Sequence, residues 1–213
     1  MNIYIDIETL RSPEEHRLQI LNDVKDNFKA PSTLTKVQAA IDLGLTDAKE
    51  IKFTSKDDMI ARWEKELAST KSEDVAQAQW EKTSFNPDVA IIACICIGWF
   101  DDHGYRQSVF ESAVMHNEKE MLEEFHSYIT SLCTANGVEV RKVNFVGHNL
   151  AKFDLPFIWK RSVINDVPCC AGVKWNDAKH GYSCYDTMIA WAGFGNRISA
   201  DNLCNILGIK GKT

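Results

Sequence analysis

No apolar run in the sequence is long enough to cross a bilayer. The longest, Val89 to Phe100, is broken only by Gly98 and falls well short of the roughly 20 residues that a spanning helix needs. The opening residues Asn2-Ile3-Tyr4-Ile5-Asp6 lack the basic segment, apolar stretch and small-residue cleavage site of a secretory signal. A membrane or Sec-exported protein is therefore not expected, and a cytoplasmic setting is. The seven cysteines also lack a framework spacing, which points to reduced thiols rather than a disulfide scaffold. Internal repeats and low-complexity segments are missing too. What remains is an ordinary globular composition in 213 residues, enough to bury a core unaided and read as one domain.

The formal net charge of −6 at first speaks against a nucleic-acid partner. Its distribution along the chain says otherwise. Residues 1–140 carry 14 Lys and Arg against 25 Asp and Glu, whereas residues 141–213 carry 10 against 5. Such an asymmetry suits a surface that tolerates phosphates on one part of the chain only, although chance clustering gives the same count.

The first residues alternate, with Ile3, Ile5 and Ile7 on one face and Tyr4, Asp6 and Glu8 on the other, which predicts a strand. Residues 11–83 hold 26 of the 54 charged residues and show helical spacing at Leu18, Leu21, Val24 and Phe28, then at Met59, Ile60, Trp63 and Leu67. Ser55 ahead of Asp57 and Asp58 predicts a helix start. This stretch is read as a helical insertion after the first strand, with too few apolar positions for a core of its own.

Val89 to Trp99 reads as a strand in a sheet covered on both faces, and Tyr105 to Phe110 as its hairpin partner. An amphipathic helix is expected over 118–133, a strand over 138–146, and a helix over 153–164 with Pro156 in its first turn. Another strand is expected over 182–188. A last helix, capped by Ser199 and closed by Gly208, completes the reading. The expectation is an α/β fold with a mixed sheet flanked by helices.

Two segments carry the chemistry. In Asp6-Ile7-Glu8-Thr9 the two carboxylates share one strand face, about 7 Å apart along the strand. Burying them unpaired would be costly, and a hard divalent cation such as Mg²⁺ or Mn²⁺ relieves the conflict. The plainer reading is an edge strand showing two acids to water. In Val146-Gly147-His148-Asn149-Leu150-Ala151-Lys152-Phe153-Asp154-Leu155-Pro156 a strand ends, a turn follows, and Asp154 enters the first turn of a helix. The helix dipole alone favours a carboxylate there. At the end of a central strand, however, it can also reach an ion held by Asp6 and Glu8.

Together with Tyr185-Asp186-Thr187-Met188, and with Trp80 to Phe85, Asp201 to Cys204 and Leu207 to Lys212, these segments resemble the DEDD superfamily of 3′→5′ exonucleases. The nearest likeness is to exonucleases related to the proofreading domain of family B polymerases, phage and prophage members included. The resemblance covers most of 1–10 and 80–213. It implies a ribonuclease-H-like fold and two-metal hydrolysis of phosphodiester bonds at single-stranded DNA 3′ ends, releasing nucleoside monophosphates. Asp6, Glu8 and Asp154 would be the catalytic metal ligands, with Mg²⁺ or Mn²⁺ as cofactor. Thr9, Leu10, His148, Asn149, Lys152 and Phe153 would meet substrate, and Asp186 would stand behind the ligands. For His148, Asn149 and Phe153 a local role stays open: holding the turn, bonding backbone, or packing in the core.

The pattern also calls for a fourth carboxylate in a Tyr/His-x-x-x-Asp helix. No such helix occurs before Thr213, and Asp201 has Arg197 four residues before it. Either that helix lies beyond Thr213 or the protein is a catalytically reduced nucleic-acid-binding module; a 3′→5′ exoribonuclease is a third reading. Lys152, Lys160, Arg161, Lys174 and Lys179 are candidates to steer a phosphate backbone, and Trp159, Trp175 and Trp191 to stack bases, with surface and packing as the plainer roles. Cys94 and Cys96 read as small buried side chains. Cys169, Cys170, His180 and Cys184 lack zinc-site spacing.

Overall fold

The computed structural model describes residues 1–45, 53–112, 117–173, 181 and 184–211. Lys174, Trp175, Lys179, His180 and Lys212 lie outside the described residues. The chain divides into two compact units, one of Met1–Leu10 with Pro87–Thr213 and one of Arg11–Asn86.

In the first unit a five-stranded mixed sheet is flanked by helices. Its strands are β1 (Asn2–Leu10), β2 (Ile91–Asp101), β3 (Gly104–Glu111), β4 (Asn144–Gly147) and β5 (Cys184–Asp186), in the order β3-β2-β1-β4-β5. β2 runs antiparallel to β1 and β3, while β1, β4 and β5 are parallel. This α/β arrangement is compatible with a ribonuclease-H-like fold. β1 is thus the central strand, so the edge-strand reading of its two acids does not hold. Its alternation is as expected: Ile3, Ile5 and Ile7 are buried, and Tyr4, Asp6 and Glu8 are exposed.

Two helices, α4 (Glu118–Ala135) and α5 (Asp154–Ile164), supply the apolar side chains that meet the isoleucine face. Met121, Leu122, Phe125 and Ile129 from α4 and Leu155, Phe157 and Ile158 from α5 join Ile3, Ile5, Ile92, Ile95 and Ile97 in one core. Asn117 caps α4 by accepting the Glu120 N–H. A buried ion pair ties the two helices together. Glu118 accepts bonds from Arg161, from the Ile92 backbone and from Asn165.

Several expectations are corrected here. β2 is not covered on both faces: Ile92, Ile95, Ile97 and Trp99 are buried, but Cys94 and Cys96 are half-buried and Phe100 is exposed. The helices cover only the isoleucine face, and a bulge sets which β2 residues share it. Glu8 pairs with Cys94 and Thr9 with Ile92, leaving Ala93 over, and its carbonyl is taken by Ser112. The outward positions are Cys, Cys, Gly and Phe, so the run looked uniformly apolar. The strand expected over 138–146 shrinks to β4, because Val140–Lys142 forms a 3₁₀ turn in which Glu139 holds Arg141 and Lys142. The strand expected over 182–188 stops at Asp186, whose carboxylate accepts the Met188 and Ile189 N–H groups and so starts α6 (Thr187–Ala192). Ser199 and Gly208 bound α7 (Ala200–Leu207) as expected.

The second unit is helical: α1 (Glu14–Asp26), α2 (Lys36–Asp42) and α3 (Lys56–Lys82, capped by Ser55). It does hold a core of its own, correcting the expectation of too few apolar positions. Leu34, Ala39, Phe53, Met59 and Trp63 are buried together, with Phe28 stacked on Trp63 at 5.6 Å and Asp42 accepting the Trp63 indole N–H. The apolar spacing in α1 does not translate into burial, since no residue of that helix is buried. Among the described residues no helix is long and apolar enough to cross a membrane.

Candidate active site

Pairing between β1 and β4 ends at Tyr4 and Val146, and the two strands then part. The fork leaves the N–H of Ile7 without a strand partner on that side, and Asp154 fills the gap: its Oδ1 accepts the Ile7 N–H at 3.1 Å. Asp154 is the first residue of α5 and is only 4% exposed. Burial, reinforced by the negative charge of Asp6 and less by that of Asp186, pushes its carboxyl up to about 7. Two of the three acids expected at the site are thus brought together electrostatically. Glu8 stands two residues further along the same exposed face.

The floor beside these acids was missed by sequence reasoning. Cys96 lies directly opposite Asp6, and Cys94 opposite Glu8. The Cys96 thiol is pushed up to about 11, first by burial and then by Cys94 and the two acids. Without a metal the Cys96 thiol stays protonated at neutral pH, so the charged donors at the fork are the carboxylates. The signal was available in the period-2 phase of β2, but only once the register with β1 is known.

Asp186 is fully buried and acts as a brace. Its Oδ1 accepts the Asn149 N–H and its Oδ2 the Ala151 N–H, each at 3.0 Å, while it also caps α6. That bracing holds Asn149 in the left-handed region at φ 59°, which Asn tolerates better than most residues. Gly147 is required for a different reason: a Cβ there would sit 2.8 Å from the Ile5 carbonyl oxygen. The turn therefore lies hard against β1 at Ile5.

His148 is engaged at both ring nitrogens, with the Thr187 hydroxyl at 3.0 Å and the Ile198 carbonyl at 2.8 Å. Facing a carbonyl, Nε2 carries a proton, so the ring ties the turn to the segment before α7. Phe153 is half-buried against the core and packs on Phe157 at 5.3 Å. Lys152 is exposed. Thr9 and Leu10 lie past the bulge, opposite Ile92 and Ile91.

Two clefts meet at His148. One, of about 670 Å³, runs over the exposed sheet face past Tyr4, Asp6, Cys96 and Tyr105. The other, of about 650 Å³, lies between the 148–153 turn and the 197–202 segment. Thr9 and Leu10 line neither. One basic candidate is corrected: Arg161 is buried against Glu118, whereas Lys160 forms a surface pair with Asp88 at 2.8 Å. Trp159 is half-buried and Trp191 is 51% exposed.

The donor chemistry of the fork suits a hard divalent cation, since a positive charge beside Asp6 and Asp154 offsets both the burial that chiefly raises the Asp154 carboxyl and the repulsion from Asp6 that adds to it. The assembly is a pair, with Glu8 alongside. Among the described residues no group of three or more His, Cys, Asp or Glu is placed to hold a metal ion. No family model, curated protein or solved structure matches the chain.

Proposed function

We propose that the protein is a metal-dependent 3′→5′ exonuclease acting on single-stranded DNA ends. One observation carries the reading: a buried carboxylate, Asp154, is held beside Asp6 at the fork where β1 and β4 part. Ligand sites of open α/β sheets favour such places. The fork is also where the Asp-Ile-Glu-Thr strand and the Gly-His-Asn…Phe-Asp-Leu-Pro segment, which carry the resemblance to DEDD exonucleases, come together. Asp6 and Asp154, with Glu8 next along the strand, would hold Mg²⁺ or Mn²⁺. When bound, such ions activate water and offset charge on the leaving 3′ oxygen. The protein itself contributes position. The Ile7 N–H orients Asp154, Asp186 fixes the turn, and His148 ties that turn to the Ile198 segment.

A second reading, a module that binds nucleic acid without cleaving it, is favoured by the lack of a three-ligand group among the described residues. One assay separates the two. Single-stranded DNA and RNA oligonucleotides, labelled at the 5′ or the 3′ end, are incubated with Mg²⁺ or Mn²⁺. Expected is stepwise shortening of 5′-labelled DNA and early release of labelled mononucleotide from the 3′ end, abolished by EDTA and by Asp6→Ala. Asp6 is exposed, so the variant should fold, and an unchanged thermal melt would show it. Shortening that survives Asp6→Ala would overturn the assignment. Binding without release would leave the non-cleaving module, and release from RNA alone would make the substrate RNA.

A further inference from the structure

The second cleft has a chemistry unlike the acidic fork beside it. Both of its charged lining side chains, Lys152 and Arg197, are cations, and no acid lines it. Among the described residues neither cation is in a salt bridge. The remaining walls supply two carboxamides, Asn149 and Asn202, and two apolar faces, Phe153 and Met188. At about 650 Å³ the space is in the size class of small-ligand sites. Its two walls are tied together: the His148 ring joins the 148–153 turn to the Ile198 carbonyl at 2.8 Å, and Asp186 anchors the turn from behind. A site so braced is formed before any ligand arrives.

We propose that this cleft binds one nucleotide, its phosphate between Lys152 and Arg197 and its base against Phe153 and Met188, with Asn149 and Asn202 facing the base edges. The assignment rests on the exonuclease reading for its biological sense. Its chemistry stands on the cleft alone. Two cations at one cleft suit a phosphate, and the guanidinium fork of Arg197 suits it in two-point fashion. Carboxamides present a donor and an acceptor side by side, as base edges require. An apolar wall with an aromatic ring suits a base face. Arg197, 43 residues along the chain from Asp154, is thereby assigned a substrate-binding role. Charge also divides the labour: the acids at the fork face a cation, and the cations next door face the phosphate.

The test uses the full chain and small probes, without cleavage. Deoxyadenosine monophosphate, deoxyadenosine and inorganic phosphate are titrated by calorimetry and by the side-chain amide resonances of Asn149 and Asn202. Expected is saturable binding of the monophosphate that shifts both resonances and weakens with salt. Deoxyadenosine should bind at least about tenfold more weakly, and so should the monophosphate with Arg197→Gln or Lys152→Gln, as loss of a charged hydrogen-bond partner implies. Arg197→Lys should recover part of the loss. Both cations are exposed, and unchanged thermal melts would show that the variants fold. Equal binding of nucleoside and nucleotide, no shift at Asn149 and Asn202, or indifference to Arg197→Gln overturns the proposal. Monophosphate binding of the expected pattern in a protein that cleaves no strand supports the cleft while removing the exonuclease reading. Cleavage whose KM and product inhibition ignore both cations does the reverse.

Discussion

Replacing Asp154 by Asn should make the apo-protein more stable at alkaline pH. The carboxyl is raised from its ordinary 3.8 to about 7, roughly three pH units, and each unit corresponds to about 1.4 kcal/mol. Below about pH 4 the group is neutral both folded and unfolded, so it costs nothing. As pH rises towards 7 the unfolded chain ionises freely while the folded one resists, and stability drains away until the folded group ionises too. Above pH 7 the penalty is complete, on the order of 4 kcal/mol as a ceiling. An Asn in this place keeps the acceptor for the Ile7 N–H and turns an amide towards Asp6, with no charge to bury. Urea unfolding of wild type and Asp154→Asn in EDTA at pH 4.5 and pH 8 measures the difference directly. The variant should be more stable than wild type by about 1 kcal/mol at pH 4.5 and by clearly more at pH 8, with a difference that grows across the interval. Adding Mg²⁺ at pH 8 should then stabilise wild type by mass action and leave the variant unmoved, while activity is lost. A variant that is less stable at pH 8 than at pH 4.5 relative to wild type, or equally stabilised by Mg²⁺, would refute both the electrostatic account of the fork and its role as a cation site.

Two further outcomes test the frame around the site. Arg161→Met strands Glu118, which then keeps only its bonds from Ile92 and Asn165, and should cost about 3–5 kcal/mol in urea unfolding. Adding Glu118→Gln should recover a good part of that loss, and strict additivity would contradict the pairing. His126 is buried with Nδ1 accepting the Cys170 N–H and Nε2 against Ser162, and burial holds it down to about 4 from 6.5. The folded value lies below the unfolded one, so its stability is present above about pH 6.5 and lost as pH falls towards 4, by up to about 3 kcal/mol. His126→Gln should flatten that part of the acid unfolding curve, and an unchanged slope between pH 6.5 and 4 would count against it.

Local patterns were legible and long-range ones were not. The alternation of Ile3, Ile5 and Ile7 announced β1, and Ser55, Ser199 and Gly208 marked helix ends, because each signal is complete within a few residues. The Ala93 bulge is a property of two strands, and without it Cys94 and Cys96 cannot be placed beside Glu8 and Asp6. Asp186 showed the same limit: a strand pattern ran on to Met188 in the sequence, but a carboxylate that caps its own helix ends the strand.

Charge was the least legible feature, for a physical reason. The basic final third of the chain holds Arg161 and Arg197, and nothing in the composition distinguishes them. Arg161 falls on the buried side of α5 and is consumed by Glu118. Arg197 is exposed and lines a cleft, next to Ile198, whose carbonyl is bound by His148. A cation buried in an ion pair is lost to a phosphate, while one in an exposed pair is only weakly held, so burial matters more than the count. By that measure, of the described cations first grouped around the second motif, Arg161 is taken, Lys160 is held only by a surface pair and Lys152 stays free of any salt bridge among the described residues, and Arg197, which the sequence marks only as standing where a Tyr or His is wanted, joins it.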